Sequence, residues 1–378
     1  MKRILYISLV DWFWIKQRPQ HICENLSKMN YEVDYFCIRA WKQKNKVQKH
    51  SSNDSLSDNK ISITDNLHIY RSHVIPKGKY PIINDINGLY LRTKINKLFS
   101  EKHYDYIVLT HPNQLLYLNA NVKKQTMIIY DCMDSYQDFS MSNVSLNKLI
   151  KLEQGIVDIA SQIVVSSKQI KLNLINKYDA LSEKIHIINN GVDINNFNIN
   201  RLNSENNKLL NANLSDGRNI TYIGTISSWV DITLVIKAAK KFEKDIFYFI
   251  GPIDITLPKN IPRNVIFLGA KQYDSIPFYI NDSDILLMPF KLGGVVESVN
   301  PVKLYEYLAM GKNVLAIKYS ETQRFAAYVN LYSTEKQFFE CLDNITAKVS
   351  NEEKKKRIAF AKNNSWQNRA ESFANILK

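Results

Sequence analysis

At 378 residues the chain is longer than one ordinary domain and suits two, each large enough to bury its own core. Its 45% hydrophobic and 23% charged residues mark a globular composition rather than a disordered one, and its longest apolar runs are strand-length, too short for a membrane span. The net charge of +14 implies either an anionic partner or a lysine- and asparagine-biased composition with no localised patch. No zinc-finger spacing or RNA-binding aromatic signature is present, which disfavours nucleic acid and leaves an anionic lipid surface as the partner to weigh. Cys23, Cys37, Cys132 and Cys341 lack paired metal-ligand spacing, so reduced thiols in a cytoplasmic setting are expected.

Ile4 to Val10 reads as a buried strand. It follows Lys2 and Arg3 but is too short for a signal peptide and lacks a small-residue cleavage site. The next loop, D-W-F-W-I-K-Q-R-P, is aromatic and basic. Trp12 and Trp14 can carry a sugar or an isoprenoid chain, with Lys16 and Arg18 on a diphosphate; alternatively the rings pack the domain edge. A helix from Gln17 to Asn30 and a strand from Tyr31 to Cys37 follow. Lys42 to Lys60 is polar and poor in apolar residues, and reads as a loop. Ile61 to His73 suggests a hairpin or a pair of short strands, and Leu89 to Phe99 a helix.

Tyr106 to Thr110 and Thr126 to Tyr130 are strands, so His111 and Asp131 project from strand ends on one rim of a parallel sheet. For His111, beside Pro112, a structural hydrogen bond competes with an acceptor-binding role. The loop from Tyr130 to Asp138 holds Asp131, Asp134 and Asp138. Turn capping accounts for two of these acids, which leaves one as a general base, with Asp134 preferred over Asp131 because it lies further from the sheet. Helix and strand then alternate (helices Ser145 to Ala160 and Lys168 to Tyr178, strands Ile163 to Val165 and Lys184 to Ile188). This gives a doubly wound parallel sheet for residues 1–195.

Asn189 to Gly217 is polar and Asn-rich and reads as the linker. Alternation restarts with strands at Ile220 to Ile223, Phe247 to Ile250, Val265 to Leu268, Ile285 to Met288 and Val314 to Ile317. A helix spans Thr233 to Phe242. Gly224 and Gly251 end strands where the backbone must approach a ligand or turn tightly. Neither G-x-G-x-x-G nor a P-loop is present, which argues against a dinucleotide dehydrogenase or a nucleoside triphosphatase.

The stretch V-E-S-V-N-P-V-K-L-Y-E-Y-L-A-M-G, Val296 to Gly311, reads as a helix with Asn300 as cap, Pro301 in the first turn and Gly311 as stop. Leu304 and Leu308 form its buried face. Lys303 would join the positive helix start on a phosphate, and Glu306 a turn deeper would accept from ligand hydroxyls. An exposed intrahelical Lys–Glu pair is the plainer alternative. The preceding apolar strand, Asp284 to Phe290, and its glycine loop favour the ligand site.

W-F-W-I-K-Q-R-P-Q-H (Trp12 to His21), Y-D-C-M-D (Tyr130 to Asp134), N-G-V-D-x-x-x-F (Asn190 to Phe197), Y-I-G-T-I-S-S-W-V-D (Tyr222 to Asp231) and N-P-V-K-L-Y-E-Y-L-A-M-G together resemble the GT-B glycosyltransferases. Within that family the chain is most similar to a teichuronic-acid-type, family 4-like branch of bacterial surface-polysaccharide enzymes. The resemblance implies two Rossmann-like domains facing a cleft: residues 1–195, rejoined by a C-terminal helix at 365–378, for the acceptor, and 196–364 for the donor. It implies transfer of a sugar from a UDP-sugar to a hydroxyl of a lipid-linked glycan, with no metal and no cofactor, at the inner face of the cytoplasmic membrane. Gly224, Asn300, Lys303, Tyr305 and Glu306 would serve the donor, and Trp12, Trp14, Lys16, Arg18 and His111 the acceptor. Of the paired glutamates that many retaining relatives carry, Glu306 would be the second. The first position is Ser298, with Glu297 displaced by one, so inversion and retention stay open. A nucleotide-sugar epimerase and a non-catalytic assembly protein are the alternative readings.

Overall fold

The computed structural model describes all residues except 41–59, 76–81, 140–142, 203–208, 211–216 and 347. The loop expected over Lys42–Lys60 therefore lies outside the described residues, apart from Lys60, as does the side chain of Asp138. The chain divides into two compact units, Met1–Asn189 with Trp366–Lys378, and Asn190–Ser365.

The first unit begins with β1 (Lys2–Ser8), α1 (Arg18–Ser27), β2 (Tyr31–Ala40), β3 (Lys60–Thr64), β4 (Leu67–Val74) and α2 (Ile82–Glu101). It continues with β5 (Tyr106–Leu109), α3 (Ala120–Gln125), β6 (Met127–Cys132), α4 (Asn143–Ile159), β7 (Gln162–Val165), α5 (Lys168–Tyr178) and β8 (Ile185–Ile187). The sheet order is β3-β4-β2-β1-β5-β6-β7-β8, parallel except for the β3–β4 hairpin. Ile4, Leu5, Tyr6 and Ile7 of β1 are fully enclosed, as their unbroken apolar run dictates for a central parallel strand. Strand order reverses between β1 and β5, which places the loops after those two strands at a switch point, where open α/β sheets bind ligands.

The second unit contains β9 (Asn219–Ile223), α6 (Ile232–Lys241), β10 (Ile246–Ile250), β11 (Val265–Gly269), α7 (Ile276–Asp282), β12 (Ile285–Met288) and α8 (Val295–Ser298). Then come α9 (Val302–Ala309), β13 (Asn313–Ile317), β14 (Asn330–Tyr332), α10 (Glu335–Asn344) and α11 (Asn351–Asn363). Its parallel sheet runs β11-β10-β9-β12-β13-β14, and the order reverses between β9 and β12. The loop starting at Gly224 and the segment leading to α9 flank that reversal. Two doubly wound parallel sheets are thus present, as the strand–helix alternation indicates.

The segment read as a linker starts instead inside the second unit. The Val192 amide donates to Asn364 O, and Phe197 is buried against Tyr273, so N-G-V-D-x-x-x-F is a packed turn. The last helix, α12 (Trp366–Ile376), belongs to the first unit, where Trp366 stacks on His21 of α1 at 5.0 Å.

Candidate functional site

Helix α9 starts one residue later than its sequence suggests. Pro301 occupies the cap position with no side chain capping the helix, and Gly311, at φ +66°, ends it. Leu304 and Leu308 are fully buried. The Tyr307 hydroxyl accepts from Ile223 N at 3.2 Å, which ties α9 to the end of β9. That tie brings Lys303 against Gly224. A Cβ at Gly224 would lie 2.2 Å from Lys303 Cε, and its φ of +144° is one that side chains rarely adopt. Gly251 is constrained in turn, because its Cβ would meet Gly224 O at 2.0 Å.

The Lys303 ammonium lies 5.9 Å from the Tyr222 ring centroid and 6.0 Å from that of Phe290. Neither Lys303 nor Glu306 makes a hydrogen bond or ion pair among the described residues, although both are only half-exposed. Burial lowers the Lys303 pKa and Glu306 opposes the fall; burial raises the Glu306 pKa, with Lys303 opposing and Asp193 adding to the rise. A largely desolvated charged pair with no hydrogen-bonding partner among the described residues is costly to maintain, and a ligand with an anion and hydroxyls would complete it. Tyr273 lies close enough to feel the charges of both Glu306 and Asp193, which together with burial push its hydroxyl pKa up. Tyr273 had no sequence signal; Asp193 had one in N-G-V-D.

Two residues expected on the donor are core residues. Asn300 is 1% exposed and does not cap α9. Its Oδ1 accepts from Asn190 N and from Tyr305 Oη, and its Nδ2 donates to Glu321. Tyr305 is fully buried, stacked on Phe360 and edge-on to Phe325. Both therefore support the helix start and are closed to a ligand. Ser298, at the first-glutamate position, is buried and donates to Val295 O, whereas Glu297 is exposed.

In the first unit the largest correction concerns Arg18. It is 4% exposed and its guanidinium pairs with Asp131 at 2.9 Å while donating to Ile188 O. Asp131 is fully buried and also accepts from Tyr6 Oη at 2.6 Å. With its oxygens committed, Asp131 is a fixed anchor of the strand-end loop and not a base, and Arg18 is not free for a diphosphate. Asp134 differs. It makes no side-chain hydrogen bond among the described residues, and burial pushes its pKa up to about 6, against the pull of Arg18 and with a further push from Asp131.

Trp12 is half-buried, edge-on to Tyr35 at 4.9 Å, and Trp14 is also half-buried. Lys16 pairs with Glu24 at 2.7 Å. His111 caps the 3₁₀ turn Pro112–Tyr117 by accepting from Asn113 N, and stands edge-on to Tyr136. Glu153 was missed, although its spacing with Leu149 and Ile156 puts a carboxylate on the inner face of α4. Glu32, Asp34 and His68 could group about a metal, but Lys102 already bridges the two carboxylates at 2.8 and 2.9 Å.

No family model matches the chain. Over 212 residues it is 29% identical to a Bacillus subtilis (strain 168) protein, TuaH, provisionally named a teichuronic acid biosynthesis glycosyltransferase. That match covers 52% of each chain, so it spans about half the length of the relative. Among solved structures, the sucrose-phosphate synthase of Thermosynechococcus elongatus superposes with a TM-score of 0.71 at 12% identity, covering 100% of this chain and 98% of that one. Anabaena HepE in complex with UDP-glucose gives 0.69 at 13%, covering 100% and 99%. WaaG, a glycosyltransferase involved in lipopolysaccharide biosynthesis, gives 0.67 at 11%, covering 99% of each. The resemblance carried by the five motifs is thereby borne out: the chain has the fold of the GT-B glycosyltransferases and resembles their surface-polysaccharide branch in sequence.

Proposed function

We propose that the chain is a glycosyltransferase that moves a sugar from a UDP-sugar to a hydroxyl of a surface-glycan acceptor. The observation that carries this reading is the Lys303–Glu306 pair beside Gly224, without a hydrogen-bonding partner among the described residues, at the strand-order reversal of the second unit. Lys303 would meet the diphosphate and stabilise the charge that develops as nucleoside diphosphate leaves. Glu306 would accept from the ribose hydroxyls. The first unit would supply the acceptor site, with Asp134 taking the proton from the attacking hydroxyl. A UDP-sugar is favoured because HepE was solved with UDP-glucose and the TuaH name points to surface-glycan synthesis.

The reading extends to a lipid-linked acceptor and to attachment at the inner face of the membrane. The net charge of +14 supports attachment, and no described helix is long and apolar enough to cross a bilayer. The chain should sediment with anionic vesicles, be released by salt, and ignore neutral vesicles. Binding indifferent to lipid charge and salt would contradict this. Turnover is tested by incubating the chain with UDP-glucose, UDP-N-acetylglucosamine and UDP-glucuronate, with and without glycan acceptors. UDP release that depends on acceptor and yields a lengthened glycan is expected. Donor conversion to an isomer without acceptor would point to an epimerase.

A further inference from the structure

The first unit holds a cavity of about 390 Å³, within the range of small-molecule pockets. Its polar lining comes from Asp134 and Gln137 of the strand-end loop, Glu153 of α4, and Asn173, Asn176 and Lys177 of α5, with an apolar wall at Cys132, Ile170 and Leu174. Its polar wall is built. Glu153, 4% exposed, accepts from Tyr130 Oη at 2.8 Å, Gln137 Nε2 at 2.6 Å and Tyr178 Oη at 2.8 Å. Those bonds pin the loop on both sides of Asp134, through Tyr130 before it and Gln137 after it. Asp134 keeps its carboxyl without a hydrogen-bonding partner among the described residues, and Asn173, Asn176 and Lys177 are exposed along α5.

Carboxyls and carboxamides offer interleaved donors and acceptors, and a hydroxyl is the group that serves both at once. An anionic ligand would set its charge against Asp134 and Glu153, with Lys177 as the one cation among the described lining residues. We propose that this cavity binds an uncharged, hydroxyl-rich sugar unit, the end of the acceptor that Asp134 would deprotonate. The acceptor role rests on the glycosyltransferase reading; the selection of neutral sugars does not.

The test titrates the full chain with methyl glucoside, methyl N-acetylglucosaminide and methyl glucuronide, followed by saturation-transfer NMR. Asn173→Trp and Asn176→Trp, at exposed positions, place bulk in the lining without touching the core. Neutral glycosides are expected to bind wild type and to bind both variants at least ten-fold more weakly, with the glucuronide weaker than either at neutral pH. Equal binding in wild type and variants, preference for the glucuronide, or no glycoside binding overturns the proposal. UDP is titrated alongside. A chain that binds UDP but no glycoside refutes this site alone; one that binds neutral glycosides but not UDP supports it and refutes the donor reading.

Discussion

Three substitutions separate residues that chemistry needs from residues that folding needs. Gly224→Ala places a methyl where Lys303 Cε lies and demands a backbone angle alanine avoids. It should weaken UDP binding about as much as losing the lysine would, and normal UDP affinity by calorimetry would contradict the packing argument. Asp131→Asn removes the carboxylate that neutralises the buried Arg18 guanidinium, so it should destabilise the first unit by about 3–5 kcal/mol in urea melts. Asp134→Asn should do the opposite. The fold holds this carboxyl at about 6, above its unfolded range, so its contribution to stability is full below about pH 4 and is lost as pH rises through 6. The asparagine variant should therefore melt higher at pH 7.5 and lose that slope. Its turnover should fall roughly 10²–10⁴-fold, while wild-type turnover rises with pH through about 6. An Asp134→Asn enzyme with full turnover would remove the base assignment.

At the scale of elements, what was legible depended on how local the determining interaction is. The apolar face of α9 and its glycine stop follow from spacing and from one residue's backbone freedom, so both could be read. Asn300 could not, because its amide is claimed by Asn190 and Glu321, partners distant in sequence, instead of the adjacent helix start. Arg18 failed for the same reason: a basic residue in an aromatic loop suggests a ligand, but Asp131 is 113 positions away. β14 is three residues long and carries no usable period. Helix α12 was recognisable only through family resemblance. Trp366 and Phe373 are buried, and Tyr106 Oη and the Lys2 ammonium donate to Leu377 O. Trp366→Ala should cost about 3–5 kcal/mol, measured by urea unfolding, as for other large buried side chains; a negligible loss would mean that α12 is not structurally required.

At the scale of the molecule, the chain crosses from the first unit to the second between Asn189 and Asn190 and returns between Ser365 and Trp366. Each unit places a half-enclosed carboxyl or charged pair near strand ends without a hydrogen-bonding partner among the described residues: Lys303 and Glu306 in the second, Asp134 in the first. The proposed division of labour between donor and acceptor would account for both. The claim on which the rest depends is that Lys303 receives the diphosphate. Calorimetric titration of UDP and of uridine into wild type and Lys303→Ala tests it directly. The account predicts that UDP binding weakens by about 1.5–3 kcal/mol in the variant, as for a lost charged hydrogen bond, while uridine binds both proteins alike. Equal UDP affinity in wild type and variant would contradict it.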